Sequence, residues 1–125
     1  MTLGFNSTVV QGWLDGTFAT ATCFVKLHTA DPGVAGATAA AVGSTVRVQA
    51  TMAATTTAGS KAMTSMASTW TNGGTSETLA DISLWSAATV GTFNASGALG
   101  TPQAWAATNT FALTALSISI TPIAA

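Results

Sequence analysis

Thr22–Gly33 reads TCFVKLHTADPG. Its first seven residues alternate, with Cys23, Val25 and Leu27 on one side of an extended chain and Phe24, Lys26 and His28 on the other, the period of a strand with one buried face. Asp31, Pro32 and Gly33 then end it, because Pro suits the second position of a turn and Gly supplies the positive φ of a type II turn. A strand closed by a polar corner is the unit from which the rest of the fold is read.

Upstream, residues 1–5 form an N-terminal arm. Residues 6–16, NSTVVQGWLDG, hold a capping Asn or Ser, then Val9, Val10, Trp13 and Leu14 at helix-face spacing, then a stopping Gly, which predicts one short helix. Downstream, residues 34–43 are Ala- and Gly-rich and read as a loop across one end of the fold. STVRVQATM, residues 44–52, alternates again, placing Val46, Val48, Ala50 and Met52 on one side and Arg47, Gln49 and Thr51 on the other. Residues 53–70 are weakly patterned, with a strand around Trp70 before the turn signal Asn72–Gly74. TLADISLWS sets Ala80, Ile82 and Leu84 against Leu79, Asp81, Ser83 and Trp85. GTFNASGALG and PQAWAATNTFAL read as hairpin pieces, and Leu116, Ile118 and Ile120 share a face of a last strand ended by Pro122. Seven or eight short strands at this spacing predict an all-β fold, an antiparallel β-sandwich of jelly-roll type with one helix, formed by residues 1–125 as a single domain.

Composition limits the partners. Of 125 residues, 6 % are charged and the net charge is −1, so the polar surface must be made of hydroxyls. With Lys26, Arg47 and Lys61 the only basic residues, no patch exists to neutralise nucleic-acid phosphates. No apolar stretch is long enough for a membrane helix. So little charge protects free monomers poorly, and a homo-oligomer or another protein is expected to cover much of the surface.

Candidate chemistry is sparse. The single His and single Cys, five residues apart on one strand, fall on opposite faces, which removes a His28–Cys23 nucleophile pair. No G-x-S-x-G elbow, clustered metal ligands or phosphate loop is present, so the sequence predicts no catalytic residue, no metal and no cofactor. His28, Asp31, Pro32 and Gly33 are read as a structural turn in which His28 bonds a backbone group or the Asp31 carboxylate. Trp70, Trp85 and Trp105 are expected in the core or at subunit contacts, with an exposed sugar groove as the competing reading. Leu3, Phe5, Trp13 and Arg47 are the candidate subunit interface.

GWLDGTF, FVKLHTADPGVAG, VRVQAT, ETLADISLWSAATVGTFNASGALGTPQ and the closing LSISI together resemble a family of small structural proteins of tailed bacteriophages marked by the LHTADPG-type turn. The resemblance spans nearly the whole chain. It implies a virion protein made in the host cytoplasm, either a capsid decoration (minor capsid) protein on the capsid surface or a minor tail or fibre module that binds a receptor. Low charge favours the decoration reading, in which trimers stabilise a shell of major capsid protein. An acidic partner for Arg47, where relatives carry one after the turn, is replaced here by Ala39–Ala41, leaving Asp31 or Asp81 to serve.

Overall fold

A computed structural model describes residues 3–54 and 59–120. The arm leads into helix α1 (Ser7–Thr17), where the Asn6 side chain accepts a 2.8 Å hydrogen bond from the Thr8 N–H and so satisfies one of the free donors of the first turn. Val10 and Leu14 are buried. Val9 and Trp13, expected beside them, are instead 44 % and 47 % exposed, since the helix lies on the sheet by a narrow stripe only.

A 3-10 turn (Thr20–Thr22) replaces the expected start of the first strand, which runs as β1 (Phe24–His28). It is followed by β2 (Val48–Met52), β3 (Ser60–Met66), β4 (Trp70–Thr71), β5 (Glu77–Trp85), β6 (Phe93–Trp105), β7 (Thr110–Phe111) and β8 (Ser117–Ser119). Six strands form one antiparallel sheet in the order β6-β5-β1-β2-β3-β8, and β4 pairs with β7 in a second, two-stranded sheet. The fold is all-β and sandwich-like with one helix. Among the described residues the strands divide into six and two, and the jelly-roll arrangement is not established by this division.

Several details differ from the periodicity. Val46 is 60 % exposed because β2 begins only at Val48. The first hairpin piece and the start of the second form one continuous strand, β6, paired along β5, and the chain turns only after Trp105, at residues 106–109 before β7. Gly and Pro signal turns, yet this is an outer strand, where a missing backbone donor costs little. Leu79 pairs with Gln103 but Asp81 with Ala98, so a two-residue step on β5 spans a five-residue step on β6 and the chain around Gly100–Pro102 bulges. The same irregularity turns Leu79 into the core with Ile82 and Leu84, against the expected alternation. The Asn72–Gly74 turn is present, but β4 leaves β5 and pairs across to β7. Residues 55–58 of the weakly patterned segment, and Pro122, lie outside the described residues.

The core gathers Val10, Leu14, Val25, Leu27, Ala50, Trp70, Leu79, Leu84 and Trp105. Lys61 enters it nearly fully buried, its ammonium 2.8 Å from Asp15 Oδ1 on α1, so an ion pair helps pin the helix to β3.

Candidate functional site

The corner is built where β1 runs out of partners. Beyond Val25 its β2-side edge is taken by the returning loop: Ala41 N–H donates to Leu27 O (3.0 Å), Thr29 N–H to Ala39 O (2.9 Å), and His28 bridges Ala40. This covers His28, which is 0 % exposed instead of lying on the open face. Its Nδ1 is 2.8 Å from the Thr38 carbonyl, which can only accept, so the proton sits on Nδ1. Nε2 then accepts from the Ser83 hydroxyl at 2.7 Å, and that oxygen accepts from the Trp85 indole N–H at 2.8 Å. Burial holds the imidazole below its ordinary pKa and keeps it neutral.

Asp31 is not part of this chain of bonds. Its Oδ1 accepts from Gly33 N–H at 2.9 Å, Gly33 takes φ 72°, and Pro32 is buried while its carbonyl accepts from Thr38 N–H. Gly36, at φ 66°, passes so close beneath Phe93 that a Cβ would lie 2.4 Å from the ring. The corner is thereby locked against the start of β6.

A serine hydroxyl 2.7 Å from an imidazole is the geometry of a nucleophile and its base. Here Ser83 and His28 are both fully buried, the serine oxygen is already shared with Trp85, and the far imidazole nitrogen meets a carbonyl rather than a carboxylate. The pair fastens β1, β5 and the loop. Cys23 is buried too, its thiol pushed up to about 11 by desolvation, where little thiolate forms. Among the described residues no group of three His, Cys, Asp or Glu is placed to hold a metal, and no helix is long and apolar enough to cross a membrane.

Arg47 has no acidic partner in either Asp31 or Asp81. Its guanidinium lies over the Trp85 ring, 3.7 Å from the centroid, and donates to the carbonyls of Ala87 (3.0 Å) and Val90 (2.6 Å). It clamps the β5–β6 turn, where Val90 is held at φ 57°, a costly conformation for a β-branched residue, with its side chain 88 % exposed.

Of the three tryptophans considered for a sugar groove, two lie in the core. Trp70 and Trp105 are buried and donate their indole N–H groups to Val46 O and Asn109 O, while Trp85 is roofed by Arg47. Two further tethers carry no recognisable sequence signal. Glu77 accepts from the N–H groups of Val42 and Gly43. Buried Asn72 donates to Thr75 O and Trp105 O and accepts from Gly74 and Thr75 N–H.

The surface that stands out is apolar. Leu3 is 81 % exposed, Phe5 56 %, and Phe5 packs edge-on against Trp13 at 4.8 Å between ring centroids. With Val9 they form an uncharged strip along the arm and the outer side of α1. Gly12 and Gly16 on that helix face no atom of the described residues within 4 Å of where a Cβ would stand.

Comparison with known families matches residues 7–121 to the family of the podophage GP4 fiber I protein gp80. The chain belongs to this family. The matched span runs from α1 past the end of β8, so it takes in the corner, the Arg47 clamp and both sheets. Membership in the gp80 family makes the chain a bacteriophage structural protein, the class implied by the resemblance, but the family is one of fibre proteins and not the LHTADPG-type decoration family. No curated protein matches the chain.

Proposed function

We propose that this chain is a structural module of a podophage tail fibre, assembling as a homo-oligomer, with a trimer as its unit. The match to a fibre family over residues 7–121 carries the reading and favours the tail over the capsid shell. The surface supports it: net charge −1 leaves little like-charge repulsion between copies. Leu3, Phe5, Val9 and Trp13 expose an apolar strip of the kind that marks protein contacts. The reading assigns no catalysis, because the one Ser–His pair is sealed inside. Any receptor contact is assigned to the assembled fibre, since two of the tryptophans that would stack on a sugar are in the core.

Immunogold labelling of intact virions tests the location. Label at the tail is the expected result; label over the head would return the protein to the capsid surface and to the major capsid protein as partner. Light scattering of the purified chain tests the assembly, and a monomer at micromolar concentration would overturn it.

A further inference from the structure

The six-stranded sheet has two outer strands, β6 and β8, and residues of both line one groove. Between them runs a groove of about 270 Å3, with Ala95–Ala98 along one wall, Leu116–Ser119 along the other, and Ile82 and Leu84 as its floor. It continues into a wider trough of about 520 Å3 bounded by the β6 bulge and residues 110–117. Among the described residues no strand pairs with the outer edge of β6 or β8, so each presents a row of backbone donors and acceptors. No charged residue lines either space. Natural sheets blunt such edges with Lys, Pro or a bulge; β6 has that protection at Gly100–Pro102 and none from Phe93 to Ala98.

These features specify an occupant. A ladder on both walls calls for an extended backbone between them, the apolar floor calls for apolar side chains on one of its faces, and the uncharged lining calls for a segment without charge. A helix would leave both ladders open.

We propose that the seam between β6 and β8 receives the N-terminal arm of a second copy, with Leu3 and Phe5 entering the groove. The proposal rests on the assembly reading above and says where the exposed arm goes. Leu3 and Phe5 are two residues apart, so they share one face of an extended chain. Residues 1–5 carry no charged side chain. Among the described residues the arm's ring contact in its own copy is that of Phe5 with Trp13, edge-on, and Leu3 is 81 % exposed. Arm and seam are different surfaces, so the contact is head-to-tail and closes into a ring when three copies complete a turn.

Variants of the full chain that carry one added cysteine beside the buried Cys23 test this. Leu3→Cys and Ala98→Cys proteins, mixed under mild oxidation, form a crossed dimer on a non-reducing gel at least about tenfold faster than Leu3→Cys mixed with Val42→Cys, because docking raises the local thiol concentration. Equal rates would overturn the proposal. Ala98→Lys, which puts a charge on an exposed position of the seam, dissociates the oligomer while its far-UV circular dichroism keeps the β signature of the unmodified chain. If the oligomer survives Ala98→Lys and no crossed dimer forms, the arm-in-seam contact is wrong and the assembly reading stands. If the unmodified chain is a monomer, both fall.

Discussion

His28 and Ser83 lie 55 residues apart in sequence and 2.7 Å apart across the β1–β5 ladder. Ser83 stands opposite Lys26 in register and His28 opposite Asp81, so the imidazole reaches the hydroxyl along the diagonal of the sheet. Removing the ring in His28→Ala leaves a cavity, an unbonded Thr38 carbonyl and a buried serine. The expected loss is on the order of 3 kcal/mol in chemical denaturation, from cavity and unsatisfied groups together. Loss of no more than a surface substitution would show that the network contributes nothing.

The same histidine makes stability pH-dependent. Burial depresses its folded pKa below 6.5 and the Lys26 charge adds to this, while the Thr38 carbonyl and Asp81 pull the other way. The unfolded chain therefore binds a proton that the folded chain refuses. His28's contribution is complete above pH 6.5 and is lost as pH falls from there toward the folded value. Thermal unfolding followed from about pH 7 to about pH 5 should fall more steeply for the native chain than for His28→Gln, which lacks the imidazole. Parallel curves would remove His28 as the cause.

Arg47→Lys keeps the charge but loses the planar fork and the stacking on Trp85. Hydrogen exchange of residues 86–92 should accelerate, with a global cost of about 1 kcal/mol. Unchanged protection across that turn would mean that Arg47 does not hold it. Val90→Gly removes the left-handed strain at φ 57° and should stabilise by on the order of 1 kcal/mol, measured by the denaturation midpoint.

Two glycines should respond with opposite signs. Gly12→Ala lies in the helix with open space around its Cβ and should gain about 0.5–1 kcal/mol. Gly36→Ala combines a positive φ with overlap against the Phe93 ring and should cost more than about 2 kcal/mol. Equal effects at the two sites in thermal melts would contradict the packing described.

Local patterns were readable and distant partners were not. The alternation at Cys23–Leu27, the cap before α1 and the Asp31–Gly33 turn all depend on residues a few positions apart. Antiparallel all-β architecture followed from them. His28 bonds a backbone group as its place at a strand end suggests, but its full burial is not legible, because its cover, residues 38–41, comes from an unpatterned Ala-rich loop. The Asn72 bond to Trp105 and the Glu77 bonds to Val42 and Gly43 join residues 33 to 35 apart, which no spacing rule reports. In β6, Gly97, Gly100 and Pro102 imitate turns, and only the pairing with β5 shows that the chain runs on.

The unequal placing of the four tryptophans gives the protein its own optical reporter. Trp70 and Trp105 are sealed in the core and Trp85 is capped by a guanidinium, whereas Trp13 is 47 % exposed on the outer strip of α1. Collisional quenching by acrylamide therefore samples chiefly Trp13, and any neighbour that covers the strip dims that access and shifts the emission to the blue. The association proposed above can be watched through a chromophore already in the chain, without a label and without disturbing the fold.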